Sequence, residues 1–195
     1  MTRIGLMGGT FDPIHHGHLL AAEEARHAFS LDKVLFVPAG NPWQKDDKDV
    51  TPGEQRLEMT KLATDGNPSF EVSRLELDRE GPTYTIDTLR AVREQQPDDE
   101  LFFITGADAI SQILTWKDPS DVLDLATFVA VTRPGHRLDD AGSQGAGERI
   151  VVLEIPALAI SSTDIRRRVA EGRPIRYLVP DAVARYIADH GLYKT

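Results

Sequence analysis

The sequence predicts an α/β protein with a doubly wound parallel sheet flanked by helices. The first observation is that short β-branched or apolar runs alternate with longer amphipathic segments, which is the order of repeated βαβ units. The second is that the 195 residues show no break between two separately folding halves. We therefore expect a single domain over residues 1–195, with a small C-terminal helical appendage at approximately 161–195.

The alternating pattern gives the order of the elements along the chain. Strands are predicted at Ile4–Met7, Val34–Pro38, Phe70–Ser73, Leu101–Thr105, Thr127–Thr132 and Ile150–Ile155. The amphipathic segments between them predict helices near 17–28, 53–65, 85–95, 108–124 and 163–171. A last helix at 181–189 stops at Gly191, placed as a C-terminal glycine cap would be. The stretch Leu138–Gly147 offers almost nothing to bury and predicts a surface loop.

Composition and charge exclude several classes of function. The chain has no cysteine, which excludes a disulfide framework, a thiol nucleophile and a Cys-ligated metal. Its 31 acidic and 22 basic residues give a formal charge of −9, which argues against nucleic acid as a partner. Met1 leads directly into a strand-like segment and no apolar run reaches about 18 residues, so we expect no membrane association and a cytoplasmic location. Positive charge is expected locally at His15–His18, Arg166–Arg168, Lys45 and Arg133.

The segments that directly follow the predicted strands are the first candidates for a site. In an open parallel sheet, ligands bind outside the carboxyl ends of the strands. The segments at that edge are Gly8–His18, Ala39–Lys45, Gly106–Asp108, Arg133–Gly135 and Ser161–Arg166.

The segment Gly8–His18 has the composition of an anion-binding turn. Two glycines after the first strand allow a sharp turn and a close approach of backbone amides, and the next helix aims its free N–H groups at the same place. His15 and His18 are three residues apart, on one face of the first helical turn, and Gly17 removes bulk between them. Imidazolium groups at the positive end of a helix dipole make sense when an anion binds there, so phosphate is the expected ligand.

Other kinds of site fit this segment less well. A dinucleotide fingerprint requires G-x-G-x-x-G and a P-loop requires G-x-x-x-x-G-K-[ST], and neither is present. Zinc is an alternative, because His15 and His18 are ligand types and Asp12 or His16 is close in sequence. A turn and helix cap without a ligand is the other alternative.

One ten-residue motif carries a resemblance to a known family: Gly9-Thr10-Phe11-Asp12-Pro13-Ile14-His15-His16-Gly17-His18. It resembles the signature of the HxGH nucleotidyltransferase superfamily, in the form typical of bacterial nicotinate-mononucleotide adenylyltransferases. The resemblance implies a Rossmann-like fold and ATP as the nucleotidyl donor. It implies that His15 and His18 contact the ATP phosphates and stabilise charge during transfer of the α-phosphoryl group. Also assigned to ATP binding are Gly8, Gly9, Thr10 and Phe11.

A second motif follows the last predicted strand: Ile160-Ser161-Ser162-Thr163-Asp164-Ile165-Arg166. From the residues alone, Ser161 and Asp164 are spaced as an ordinary helix cap. Arg166 is expected in the first turn, where a cation opposes the helix dipole unless phosphate binds. The motif resembles the I-S-S-T-x-I-R signature of the same family, which implies that the β- and γ-phosphates of ATP are held by Ser161, Ser162, Thr163 and Arg166.

Further segments resemble the parts of the family that bind the nicotinate nucleotide. Thr83-Tyr84-Thr85 lies in an element similar to S/T-Y-T-x-D-T-L, although a threonine there is equally a helix cap. Gly106 and Asp108 match the family's G-x-D element near ATP. Trp116 matches the tryptophan that packs on the pyridine ring, with a core tryptophan as the alternative. Arg133 follows a strand and is expected to hold the acceptor phosphate bidentately.

The loop after the second strand departs from the family. The usual P-P-H-K is replaced by Asn41-Pro42-Trp43-Gln44-Lys45, with Gln44 at the histidine position and Trp43 at a proline position. Lys45 is retained, and the resemblance implies that it contacts both the reacting phosphates and the nicotinate nucleotide. The similarity extends over nearly the whole chain, including the tail Gly191-Leu192-Tyr193.

Together, the motifs imply an adenylyltransferase that joins ATP and nicotinate mononucleotide into nicotinate adenine dinucleotide and releases pyrophosphate, in NAD biosynthesis. The acceptor phosphate is itself the nucleophile, so catalysis is positioning and charge stabilisation by His15, His18, Lys45 and Arg166. Mg²⁺ is expected as the cofactor, carried by ATP and not by a protein metal site. The alternatives are a related adenylyltransferase for 4′-phosphopantetheine and a non-catalytic nucleotide-binding module. A homodimer is one option for the oligomeric state.

Overall fold

The structure is a computed structural model that describes residues 1–41, 50–111, 113–133, 149–156 and 158–194. Six strands in those ranges form one sheet: β1 Arg3–Gly9, β2 Lys33–Pro38, β3 Phe70–Val72, β4 Glu100–Gly106, β5 Thr127–Thr132 and β6 Ile150–Glu154. All neighbouring strands are parallel, in the order β3-β2-β1-β4-β5-β6. The order reverses between β1 and β4, so the predicted doubly wound, Rossmann-like sheet is confirmed. Predicted strand bounds agree with the observed ones to within two residues.

The central strands are apolar along their length because helices cover both faces of the sheet. Leu6 of β1 is in register with Leu35 of β2 and Phe103 of β4. Ile104 of β4 is opposite Val129 of β5, and both of these side chains are completely buried. This pairing brings the carboxyl ends of β1 and β4 to one edge, where the candidate site forms.

The helices divide into two layers. In the described part of the chain they are α1 His16–Ala28, α2 Gly53–Thr64, α3 Thr85–Gln95, α4 Ala107–Ile110, α5 Pro119–Leu125, α6 Ser162–Ala170 and α7 Asp181–Asp189. Buried side chains of α1, α2, α6 and α7 share one hydrophobic cluster with Met7 and Phe36. Those of α3, α4 and α5 share a second cluster, on the other face, with Leu6 and Phe103. None of these described helices is long and apolar enough to cross a bilayer.

One predicted helix is wrong. Residues 108–124 do not form a single helix, because α4 ends after one turn, a 3₁₀ helix covers Ile113–Thr115, and α5 begins at Pro119. A proline has no N–H to donate and its ring disfavours a right-handed helical residue before it, so a helix does not continue through Asp118. Asp118 itself is left-handed, with φ 49° and ψ 59°. The break places Trp116 in a turn between helices, directly after the 3₁₀ helix.

The C-terminal helices pack against the sheet. Ile165 of α6 and Ile187 of α7 are buried in the cluster that also contains α1 side chains. After α7, Gly191 has a positive φ of 62°, and the Leu192 N–H donates to the Ile187 carbonyl at 3.0 Å, which confirms the predicted glycine cap. The interpretation as one domain stays a prediction. The predicted loop Leu138–Gly147 lies outside the described residues.

Candidate active site

Two depressions open side by side at the carboxyl ends of the central strands. One is named here the Trp116 cavity, after the tryptophan in its wall, and has a volume of about 190 Å³. The other is named the His18 depression and has a volume of about 760 Å³. Thr105 near the end of β4 borders both, so the two spaces adjoin at the switch point of the sheet.

The structure sorts the predicted site residues between these two spaces. The two motifs meet in the His18 depression, which is lined by His15, His18, Ser161, Ser162 and Thr163. The ends of β4 and β5 add to the same depression Gly106, Asp108 and Arg133. The Trp116 cavity is lined by Thr83–Thr85 and Trp116, which were predicted to bind the nicotinate nucleotide, and also by Gly8, Gly9 and Thr10, which were predicted to bind ATP.

The structure does not place four of the predicted residues, Phe11, Arg166, Arg133 and Lys45, in the expected space. Phe11 and Arg166 are not among the side chains that line either space. Lys45 lies outside the described residues, as do Trp43 and Gln44. Arg133 was expected to hold the acceptor phosphate, and in the structure it borders the His18 depression.

The two motif histidines stack on each other at the start of α1. His15 is the residue before the helix, and its ring lies 3.7 Å from that of His18, centroid to centroid, with 21° between the planes. The His15 backbone N–H donates to Nδ1 of His18 at 3.2 Å. Because that nitrogen accepts, a neutral His18 carries its proton on Nε2 and is a hydrogen-bond donor there.

Burial makes both histidines neutral, contrary to the positive cluster expected at His15–His18. Removal from water lowers the pKa of His15 to about 4, and the neighbouring His16 contributes a smaller lowering. Burial also lowers the pKa of His18 well below its ordinary value, with a further contribution from His15. A phosphate bound beside them would reverse the direction, since an anion favours the protonated ring.

Small and aromatic neighbours fix the orientation of the histidine rings. A Cβ on Gly17 would lie 3.0 Å from Cε1 and Nδ1 of His15, so a larger residue there would displace that ring by a few tenths of an ångström. Nδ1 of His15 faces Gly17 and is buried without a hydrogen-bond partner in the described residues. Phe11 is buried and meets the His18 ring edge-on, with centroids 5.1 Å apart. The structure therefore gives Phe11 a supporting contact with His18, and its contact with ATP stays a prediction.

The second motif is joined to the first by hydrogen bonds. Ser161 caps α6 by accepting the Asp164 N–H at 3.1 Å, as its spacing predicts. The Ser162 hydroxyl donates to the Pro13 carbonyl at 2.9 Å, and Arg166 Nη1 donates to the Asp12 carbonyl at 2.7 Å. Arg166 is the fifth residue of α6 and not in its first turn, so the expected conflict with the helix dipole is weaker than predicted.

Sequence reasoning missed Arg56, a buried arginine of α2. Only 1% of its surface is exposed. Its guanidinium donates to four backbone carbonyls: Thr51 at 2.8 Å, Thr10 at 2.7 Å, Ala39 at 2.7 Å and Gly40 at 3.3 Å. Those carbonyls belong to the loops after β1 and β2 and to the segment just before α2. The sequence spacing could have indicated that Arg56 is buried. Arg56 stands three residues before Met59 and four before Thr60, on the buried face of α2.

Asp12 is a second buried polar residue, and the sequence indicated it only as a possible zinc ligand. Its Oδ1 accepts the Tyr193 hydroxyl at 2.6 Å and its Oδ2 accepts the Thr51 N–H at 3.2 Å. Both carboxylate oxygens are thus used, and the His15 and His18 rings stack on each other. In the described residues, no three His, Cys, Asp or Glu side chains converge as a metal site. The zinc alternative therefore has no support in the geometry of these residues.

Trp116 forms part of the wall of its cavity and of the core beneath it. Its ring meets Phe103 edge-on at 6.2 Å and Phe128 at 6.3 Å, centroid to centroid. The interpretation of Trp116 as a residue that packs on the pyridine ring is therefore compatible with its interpretation as a core tryptophan. The helix α3 begins at Thr85 with Tyr84 as its N-cap residue, so the alternative in which Thr83 or Thr85 is the cap is wrong.

Glu76 is a further wall residue of the Trp116 cavity that the sequence did not indicate. It is buried, and its carboxylate accepts the Thr88 hydroxyl at 2.6 Å. Burial raises its pKa to about 7, against the opposing effects of the Thr88 hydrogen bond and the charge of Arg79. Thr83 has a partner as well, since its Oγ1 accepts the Asn41 N–H at 3.1 Å.

Comparison with known proteins identifies the family. Residues 6–168 match the family described as cytidylyltransferase-like. A Clavibacter michiganensis protein that carries the name "Probable nicotinate-nucleotide adenylyltransferase" is 61% identical over 193 residues, covering 99% of this chain and 94% of that protein. A Streptomyces coelicolor protein of the same name is 60% identical over 188 residues, covering 96% of this chain and 99% of the relative.

A solved structure agrees with the fold. The Plasmodium falciparum nicotinic acid mononucleotide adenylyltransferase complexed with NaAD superposes with a TM-score of 0.83 at 20% identity, covering 99% of this chain and 98% of the other. At that identity the likeness concerns the fold alone. The two bacterial relatives match this chain nearly from end to end, so the chain belongs to the cytidylyltransferase-like family and, within it, to the nicotinate-nucleotide adenylyltransferases.

Proposed function

We propose that this chain transfers the adenylyl group of ATP to nicotinate mononucleotide, forming nicotinate adenine dinucleotide and pyrophosphate in NAD biosynthesis. The observation that carries the proposal is the meeting of the two phosphate motifs, from opposite ends of the chain, in the His18 depression. A second space, the Trp116 cavity, adjoins it through Thr105. Two adjoining spaces at a switch point suit a donor and an acceptor that must react with each other.

The donor ATP is assigned to the His18 depression. His15, His18 and Ser161–Thr163 line it and supply imidazole, hydroxyl and helix N-terminal amide donors, which are the groups that bind phosphate. Gly106 has open space above its Cα, which leaves room for a nucleotide beside it. Arg133 is reassigned from the acceptor phosphate to this side, because it borders the same depression.

The acceptor is assigned to the Trp116 cavity. The tryptophan offers an aromatic plane for the pyridine ring, and Tyr84 and Thr85 stand in the same wall. Gly8, Gly9 and Thr10 line the side of the cavity nearest the first motif, where the two substrates would meet. The preference for nicotinate over nicotinamide stays a prediction.

The reaction is an in-line displacement. A phosphate oxygen of the acceptor attacks the α-phosphorus of ATP, the bond to the bridging oxygen of the β-phosphate breaks, and pyrophosphate leaves with that electron pair. No side chain has to act as nucleophile or general base. His18 donates from Nε2, whose proton is fixed by the hydrogen bond at Nδ1. Arg166 keeps further N–H donors beside the one given to Asp12, and Lys45 is proposed to act from the loop after β2.

Mg²⁺ is proposed to enter with ATP. Among the described residues that line the His18 depression, Asp108 is the one carboxylate. This donor set fits an ion held mainly by nucleotide phosphates, with Asp108 as the residue able to reach it or its water shell. When bound, the ion neutralises charge on the phosphates. The cytoplasmic location and the homodimer stay predictions.

The direct test is an acceptor panel with the purified chain. We expect pyrophosphate release from MgATP with nicotinate mononucleotide, slower release with nicotinamide mononucleotide, and none with 4′-phosphopantetheine. Equal rates with the two pyridine nucleotides would show that the chain does not prefer the acid nucleotide. Pyrophosphate release with 4′-phosphopantetheine alone would show that this compound is the acceptor. ATP binding without pyrophosphate release for any acceptor would identify a non-catalytic module.

His18→Ala tests the donor side. Loss of one transition-state donor should lower kcat by roughly 10²–10³-fold while the variant stays folded. His27→Ala is the matched control, because His27 is an exposed residue of the same helix and should leave kcat unchanged. A folded His18→Ala variant with nearly normal turnover would remove His18 from the mechanism.

His15 should make stability depend on pH. Its folded pKa of about 4 lies below its ordinary 6.5, so between those values the unfolded chain binds a proton that the folded chain does not. The free energy of unfolding, relative to His15→Gln, should therefore fall by up to about 3 kcal/mol as pH drops from 6.5 towards 4. MgATP should reduce that fall, because phosphate favours the charged ring.

Urea unfolding of both proteins at several pH values, with and without nucleotide, measures this difference. His27→Gln serves as the control and should follow the wild-type pH dependence. Parallel curves for wild type and His15→Gln would show that His15 is not held neutral by burial. An identical fall with and without MgATP would show that His15 does not contact phosphate.

A further inference from the structure

The C-terminal segment contacts the first motif at several points. The His16 N–H donates to the Leu178 carbonyl at 3.0 Å, ahead of α7. Ser162 and Arg166 of α6 donate to the Pro13 and Asp12 carbonyls, as described above. The last of these contacts comes from Tyr193, 181 residues away in sequence, whose hydroxyl donates to Oδ1 of Asp12 at 2.6 Å.

Tyr193 is placed for this contact by its own backbone. The glycine cap at Gly191 turns the chain after α7, and Tyr193 itself has a positive φ of 61°. A left-handed tyrosine is an unfavourable conformation that the surrounding contacts must hold. Its ring packs against the hydrophobic cluster shared by α1 and α7, as does the Leu192 side chain. Burial raises the pKa of Tyr193, with a further contribution from the Asp12 charge, so the hydroxyl stays a donor.

Asp12 is the point through which Tyr193 can act on the site. The carboxylate is 2% exposed and lies three residues before His15. Its other oxygen accepts the Thr51 N–H, and its own carbonyl accepts Arg166. A buried carboxylate that loses one donor is left partly unsatisfied, and it then shifts towards water or towards another partner. Any such shift would move Phe11, His15 and the Arg166 guanidinium together.

We propose that Tyr193 is a positioning residue for ATP, which acts through Asp12 to hold the first motif in its phosphate-binding geometry and to keep Arg166 on the Asp12 carbonyl. The proposal rests on the assignment of ATP to the His18 depression. Tyr193 has no direct contact with that depression or with the Trp116 cavity in the described residues. Its effect should therefore fall on ATP binding and not on the acceptor.

Tyr193→Phe is the test, because it removes the hydroxyl and keeps the ring. Removing a donor to a buried carboxylate should raise the KM for ATP by about tenfold, with the KM for nicotinate mononucleotide unchanged to within about twofold. Tyr177→Phe is the matched control, since the Tyr177 side chain is 81% exposed and outside both spaces. It should leave both KM values unchanged.

A second variant separates positioning from stability of the tail. Leu192→Ala weakens packing of the same segment but keeps the Tyr193 hydroxyl, so it should lower the melting temperature without raising the KM for ATP. An ATP KM in Tyr193→Phe within about twofold of wild type would overturn the proposal. So would an equal rise in Leu192→Ala at a temperature where both proteins are folded.

Calorimetric ATP binding keeps this test independent of the proposed reaction. If the wild-type chain releases no pyrophosphate with any acceptor, the proposed function fails. The Kd for ATP then replaces KM in the same comparison of variants. A Kd about tenfold weaker in Tyr193→Phe, with Leu192→Ala and Tyr177→Phe like wild type, supports the positioning role. Equal Kd values in all proteins overturn it.

Discussion

The loops at the ligand edge of the sheet depend on one buried cation, the guanidinium of Arg56. It donates to carbonyls of Thr10, Ala39 and Thr51, which belong to three segments separated in sequence but adjacent in space. Burial lowers the pKa of Arg56, while the charge of Asp12 opposes that lowering. Because a guanidinium stays protonated and presents a rigid fork of donors, it can fix three backbones at once.

This constraint explains why the two phosphate motifs meet in a defined geometry. Arg56 holds the loop after β1 at Thr10, and the C-terminal segment holds it at Asp12. The histidines then stand at the start of α1 with little freedom, stacked and uncharged. Neutral rings avoid repulsion from the helix dipole in the free protein, and each becomes a better partner when phosphate brings its negative charge.

The sequence predicted what depends on local chemistry. The positions of the strands along the chain, the glycine cap at Gly191 and the cap at Ser161 follow from patterns within a few residues, and all are present. The single helix predicted at 108–124 is wrong because Pro119 interrupts the helical pattern. That error concealed the position of Trp116 in a turn at the cavity wall, although the residue itself was correctly singled out.

The features that could not be predicted from the sequence depend on burial and on contacts between distant residues. The charge of His15 and His18 depends on how much water the folded chain removes from them, which no spacing reveals. The bond between Asp12 and Tyr193 joins opposite ends of the chain. Whether Arg133 borders the His18 depression or the Trp116 cavity depends on how β5 is placed beside β4, and both spaces lie at the same edge.

The variant Arg56→Lys tests most directly whether Arg56 holds the loops of the site in their geometry. Lysine keeps the charge but cannot present the same fork of donors to separated carbonyls. We expect the folded variant to lose about 100-fold in kcat/KM for ATP, with Arg90→Lys, at an exposed ion pair with Asp121, close to wild type. A folded Arg56→Lys protein with wild-type kcat/KM would show that the loops keep their geometry without Arg56.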